Sequence, residues 1–189
     1  MYFEQDIQSA LQTLRSGGII LYPTDTIWGI GCDATNEVAV RKIFELKQRP
    51  DNKSMIVLLA AERDLLQYIS APDMEVFQYL DTVLKPTTVI YEGAIGLADN
   101  LIGPDSSIGI RMVKDEFCRH LIKRLGKPIV STSANLSGQQ SPQSFSEIDQ
   151  IIRDGVDYQV QWRQEEIIPQ QPSSIVKWNK DASVTIIRP

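Results

Sequence analysis

Two apolar runs, residues 87–91 and 108–112, read as strands with no helix between them, while elsewhere short strands alternate with helices across short connections. The alternation places the chain in the α/β class. The helix-free pair argues for a mixed sheet, because parallel neighbours need a long crossover and antiparallel ones do not.

The remaining elements follow from periodicity and punctuation. Phe3, Ile7, Ala10, Leu11 and Leu14 share one helical face, and Gly17-Gly18 ends that helix. Residues 19–22 form a strand stopped by Pro23. Asn36 caps a helix that turns Val40, Ile43, Phe44 and Leu46 inward. Residues 55–59 read as a buried strand, and residues 62–69 and 73–84 as helices. Residues 116–125 read as a helix closed by Gly126, followed by a short strand at 128–130. Ser144 and Glu147 match a capping box ahead of Ile148, Ile151 and Ile152, and residues 174–178 and 184–187 read as terminal strands.

The 189 residues suit one domain, and 42% hydrophobic content is enough for a sizeable core, so disorder over most of the chain is excluded. No apolar run approaches the roughly 18 residues of a membrane span. Residues 1–6 lack the basic-then-apolar order of a signal peptide, and Cys32 and Cys118 have no pairing motif. Both points suit a reducing, cytoplasmic setting without a disulfide framework or zinc site. A net charge of −5 argues against broad nucleic-acid binding but leaves room for a local basic cleft.

Phosphate-loop and dinucleotide fingerprints are absent; Gly29 and Gly31 make only a fragment of the latter. The single histidine, His120, sits mid-helix and reads as an ordinary surface or half-buried residue. Chemistry must therefore rest on Lys, Arg, Ser, Thr, Asn and carboxylates. Pro23-Thr24-Asp25-Thr26-Ile27-Trp28-Gly29 leaves a strand end, as a ligand loop or as a turn satisfying its own backbone. Lys47 and Arg49, with Pro50 and Lys53 after them, form either an anion clamp or a pair of cations at a helix C-terminus. The clamp would need a local period of two for both side chains to point one way. Ser131-Thr132-Ser133-Ala134-Asn135-Leu136-Ser137-Gly138 leaves a second strand, as an uncharged orienting set or as a polar turn and cap.

These segments together resemble the YrdC/TsaC family of threonylcarbamoyl-AMP synthases. The resemblance is carried by Pro23-Thr24-Asp25-Thr26, Lys47-x-Arg49-Pro50, Ser107-x-x-x-Arg111, the Ser131–Gly138 run, Pro172-Ser173-Ser174-Ile175-Val176 and Ile187-Arg188-Pro189, in order across nearly the whole chain. Departures stand at Lys53-Ser54-Met55, at Leu84-Lys85-Pro86-Thr87-Thr88 and at Arg111-Met112-Val113. The chain ends close to its last strand, like the family's short single-domain branch.

The resemblance implies a twisted α/β fold with a mixed sheet, flanking helices and a large open cavity. It implies that L-threonine, bicarbonate and ATP give threonylcarbamoyl-adenylate and pyrophosphate, and that another enzyme passes the threonylcarbamoyl group to tRNA. It implies a working tetrad at Lys47, Arg49, Ser133 and Asn135, threonine contacts at Thr26, Arg111 and Ser131, and nucleotide contacts at Arg49, Ser107, Ser133, Ser141 and Arg188. Mg²⁺ is expected on the triphosphate, held mainly by phosphates and waters, with no dedicated metal cage in the sequence, though Asp25 could help. The tRNA-transfer machinery is the expected partner, with weak or indirect RNA binding and no membrane. The alternative is a double-stranded RNA or tRNA binding module without catalysis, and a third reading is a paralogue with another adenylation or hydrolysis role.

Overall fold

The computed structural model describes residues 2–50, 55–166, 171–179 and 181–189. Among these, nine strands form one mixed sheet: β1 (Ile20–Tyr22), β2 (Gly29–Gly31), β3 (Ile56–Leu59), β4 (Thr87–Tyr91), β5 (Ile108–Met112), β6 (Ile129–Ser133), β7 (Tyr158–Gln159), β8 (Ser174–Trp178) and β9 (Val184–Arg188). Their order is β7-β1-β2-β6-β3-β5-β4-β8-β9. The expected helix-free pair, β4 and β5, is antiparallel. Parallel pairing is confined to β1/β7, β3/β5 and β4/β8.

Five α-helices flank the sheet: α1 (Glu4–Arg15), α2 (Glu37–Leu46), α3 (Val76–Thr82), α4 (Glu116–Leu125) and α5 (Gln150–Gly155). Asn36 caps α2 by accepting from the amides of Val38 and Ala39, and Gly126 closes α4 at φ 72°. Several boundaries differ from the sequence reading. Residues 62–67 wind as a 3-10 helix, and α3 is shorter than residues 73–84. Ser144 and Glu147 do not form a capping box: Phe145–Glu147 is a 3-10 turn, and α5 starts later under an Asp149 cap that accepts from Ile151 N. β2 and β7 were not foreseen, and β6 runs three residues past 130.

The face of the sheet on which the site lies follows from the two-residue alternation of strand side chains. Val57, Ile110 and Val130 point into the larger core, under α2, α3 and α5. Leu58 and Ile129 point to the opposite face, where α1 and α4 cover them with Phe3, Ile7, Leu14, Phe117 and Leu121. Register puts Arg111 level with Leu58, and Ile56 level with both Gly109 and Ser131, so Arg111 and Ser131 share the α1/α4 face. The two helices cover one part of that face, and the other part is a polar cavity.

Candidate active site

The turn after β1 satisfies itself and also presents a side chain. Thr24 Oγ1 accepts from Thr26 N at 3.1 Å and donates to Ile27 O at 2.8 Å. Thr26 Oγ1 lies 2.9 Å from Thr24 Oγ1 and accepts from Arg111 Nη1 at 2.8 Å. The two readings of this segment are therefore one object: a closed turn whose hydroxyl anchors a guanidinium. Arg111 is 2% exposed. Its Nη2 stands 3.1 Å from Asp25 Oδ1, an ion pair outside hydrogen-bond geometry, and Asp25 Oδ2 accepts from Lys114 N at 3.1 Å. Arg111 Nε and Nη2 have no hydrogen-bond partner in the protein. These two atoms form one side of the guanidinium fork, the edge that takes a carboxylate with two parallel bonds.

Lys47 and Arg49 do not lie on an extended segment. Helix α2 ends in a Schellman turn: Arg49 N donates to Phe44 O at 2.9 Å and Gln48 N to Glu45 O at 3.0 Å, with Gln48 at φ 50°. The turn sends the two cations to different tasks. Lys47 is 1% exposed and sits behind the wall, its Nζ donating to Ser133 O at 2.5 Å and also to Asn135 O. Ser137 N returns a bond to Lys47 O at 2.8 Å. Arg49 lines the cavity. Burial, then the neighbouring charge of Arg49, lower Lys47 to about 7, and burial lowers Arg49 as well. Lys53 and Ser54 lie outside the described residues.

β6 supplies the opposite side. Ser131 pairs with Ile56 and Ser133 with Gly29, so both side chains project from one face. The hydroxyl cluster read as a loop is thus a strand facing the cavity. Beyond it, Asn135 Nδ2 donates to Leu136 O and Gln139 O, both at 2.8 Å, while its buried Oδ1 has no partner. Arg188, on β9, donates from Nε and Nη2 to Ser173 O at 3.0 and 2.8 Å. Burial, then the charge of Arg111, lower Arg188.

Arg49, Arg111, Arg188, Ser131, Ser133 and Ser141 meet on the wall of one cavity of about 220 Å³, with Thr26 beside them. Lys47 and Asn135 stand just behind it. Ser107 is off this wall, in a turn where its hydroxyl donates to Asp105 Oδ1 at 2.5 Å. Gly29, Ile56, Pro172 and Ile175 are also among the lining; of these, Ile56 belongs to no motif quoted from the sequence, and its only signal is its place on a strand. No Asp or Glu lines the cavity among the described residues, although the chain as a whole carries −5. Three guanidiniums in a recess of such a chain focus positive potential at one place, which suits a multiply charged anion. Among the described residues, no group of three His, Cys, Asp or Glu could hold a metal ion. None of their helices is long and apolar enough to cross a membrane.

The Sua5/YciO/YrdC family model, described as "Telomere recombination", matches residues 12–189. A threonylcarbamoyl-AMP synthase of Idiomarina loihiensis is 40% identical over 157 residues, covering 81% of this chain and 84% of the relative. One of Stenotrophomonas maltophilia is 35% identical over 149 residues, covering 77% and 80%. Among solved structures, P. abyssi Sua5 complexed with L-threonine superposes with a TM-score of 0.85 at 24% identity. That match covers 98% of this chain and 54% of the P. abyssi chain, and it speaks for the fold.

Proposed function

The chain belongs to the Sua5/YciO/YrdC family, and from that membership we propose that it is a threonylcarbamoyl-AMP synthase, joining L-threonine, bicarbonate and ATP into threonylcarbamoyl-adenylate and pyrophosphate. The observation that carries the reading is the buried Arg111 guanidinium, whose Nε and Nη2 make no hydrogen bond in the protein although Nη2 is ion-paired with Asp25, in a cavity lined, among the described residues, by two further arginines and no carboxylate.

The chemistry demands such a place. The neutral threonine amine combines with bicarbonate to give a carbamate and water. A carbamate oxygen then attacks the α-phosphorus of ATP, forming the new P–O bond as the bond to pyrophosphate breaks. Carboxylate, carbamate and triphosphate are all anions and repel one another in water-poor surroundings. Arg111, held by Thr26 and Asp25, would take the threonine carboxylate through Nε and Nη2, which make no hydrogen bond within the protein, with Ser131 at hand. Arg49 and Arg188 would face the phosphates, where charge grows during transfer. Lys47 fixes the carbonyls of Ser133 and Asn135 and adds its charge from behind. Ser133, Ser141 and the Asn135 amide would orient the nucleotide and carbamate. Ser107 would have to exchange its bond to Asp105 for one to the nucleotide.

Mg²⁺ would arrive on ATP, held by phosphate oxygens and water, since the described residues of the wall offer it no carboxylate. The proposal places the reaction in the cytoplasm, with the labile adenylate passed to the machinery that modifies tRNA. RNA contact with this chain need then be only weak or indirect. A stand-alone RNA-binding role is disfavoured because Arg111 is too deep to meet a duplex backbone. The test is to supply isotopically labelled bicarbonate with ATP and L-threonine and to follow the label. The proposal expects it in an adenylate that forms only with all three substrates; a labelled adenylate without threonine contradicts it.

A further inference from the structure

The turn that presents Asp25 and Thr26 is held from outside the cavity by three pieces of chain. Cys118 Sγ donates to Pro23 O at 3.3 Å, and Lys114 N donates to Asp25 Oδ2. Both come from the β5–α4 region. The third holder is remote in sequence: Arg163 Nη1 lies 3.2 Å from Thr24 O and 3.1 Å from Asp115 Oδ2. Asp115 in turn caps α4 by accepting from Cys118 N at 2.9 Å. One guanidinium thus bridges the carbonyl of the turn and the cap of the helix beside it.

Arg163 is itself firmly placed. Its φ of 70° is a left-handed conformation that side chains with a Cβ disfavour. The surroundings impose it. The buried Asp6 carboxylate accepts from Tyr158 Oη at 2.6 Å and from the amides of Gln161 and Trp162 at 2.9 Å, fixing the loop just before Arg163. Trp162 packs on Phe3 with ring centroids 5.5 Å apart. Glu166 Oε2 accepts from Arg163 Nε at 2.6 Å. A disfavoured backbone held by this many contacts, with its side chain aimed at a substrate-facing turn, is better explained by use than by accident.

We infer that Arg163 is a positioning residue for amino-acid recognition. It locks the turn of residues 23–26 to the N-terminus of α4, and so sets where Thr26 and Asp25 hold the Arg111 guanidinium. The inference deepens the synthase reading and rests on it, because it takes Arg111 as the seat of the threonine carboxylate. Loss of Arg163 leaves Thr24 O without its charged donor, and rotation of the following peptide would displace Asp25 and Thr26 together. Recognition of the amino acid suffers, whereas Arg49 and Arg188, on other elements, keep their hold on the nucleotide.

The test is steady-state pyrophosphate release by the full chain and by Arg163→Gln, Arg163→Lys and Glu166→Gln. Arg163→Gln is expected to raise the KM for L-threonine about tenfold or more, with the KM for ATP and kcat changing less than about threefold. Arg163→Lys keeps one charged donor and should recover part of the threonine affinity. Glu166→Gln removes the charge that fixes Arg163 Nε but keeps the guanidinium, so it should raise the threonine KM by less than Arg163→Gln does. A purely structural role would lower kcat through a smaller folded fraction and leave both KM values alone. If Arg163→Gln does not fold, the KM shift of Arg163→Lys decides. A threonine KM unmoved in the folded Arg163 variants of a threonine-dependent parent overturns the inference alone. A parent whose turnover ignores threonine overturns the synthase reading and the inference with it.

Discussion

The ammonium of Lys47 lies 2.5 Å from the main-chain oxygen of Ser133 and also donates to that of Asn135, so the end of α2 is bolted to the exit of β6. A cation that merely complements a helix dipole would sit in solvent, yet this one is 1% exposed. Lys47→Met removes the charge and takes a donor from two carbonyls, of which that of Ser133 still accepts from Asn135 N. Turnover should fall by about 10²–10³-fold, in the range seen for loss of one preorganised electrostatic contact. Stability should drop by about 2 kcal/mol in urea melts. Near-normal turnover would return Lys47 to the helix-end role.

The lowered Lys47 also sets a pH dependence. Its folded value of about 7 lies below the unfolded 10.5. Between those limits the unfolded chain binds more protons than the fold. Stability should therefore rise with pH across that window, and the penalty for keeping Lys47 charged is fully present below about 7. Ligand binding has the opposite sign, because the triphosphate needs the cation. Equilibrium ATP affinity should weaken above about pH 7 and lose that dependence in Lys47→Met. Urea melts at several pH values check the stability, and titration calorimetry with ATP at the same pH values checks the affinity.

Asp25 is the counter-charge of a nearly buried arginine. Asp25→Asn retains an acceptor for Lys114 N but not the negative charge, and the pair is about one-seventh exposed on the carboxylate side. The expected loss is about 2 kcal/mol, below the 3–5 typical of a fully buried pair. Saturating L-threonine should restore more stability to Asp25→Asn than to the parent, since its carboxylate supplies a replacement charge. Equal thermal shifts in the two proteins would argue that threonine does not bind at Arg111.

Gln48 occupies the left-handed position of the Schellman turn, where glycine is the usual resident. Gln48→Gly should be at least as stable as the parent. Gln48→Val, with a branched Cβ in that conformation, should lose about 1–2 kcal/mol and misplace Lys47 and Arg49. Thermal melts together with the ATP KM measure both effects.

The mixed sheet, the Asn36 cap and the polar motifs were legible in the sequence because each is written in local chemistry. β2 was not, because Gly29 and Gly31 weaken strand propensity. The fold nevertheless needs a glycine at 31, where a Cβ would come 2.5 Å from Val130 O and 2.6 Å from Tyr22 Cε1. The hydroxyl run at Ser131–Ser133 looked like a loop because polarity usually marks one. Here it marks a strand facing an open cavity. The burial of Lys47 and the reach of Arg163 to Thr24 depend on contacts between residues distant along the chain. No local pattern encodes them. The capping-box pattern at Ser144 and Glu147 misled for a related reason: Glu147 Oε2 accepts from Gln143 N instead of returning to its own cap.

The most direct measurement is pyrophosphate release from ATP with threonine and bicarbonate omitted in turn, repeated for Arg111→Lys. The account predicts release only with all three substrates, and a threonine requirement that climbs at least about tenfold in Arg111→Lys, which lacks the two-donor edge. Release that persists without threonine, or an Arg111→Lys protein with an unchanged threonine requirement, would contradict it.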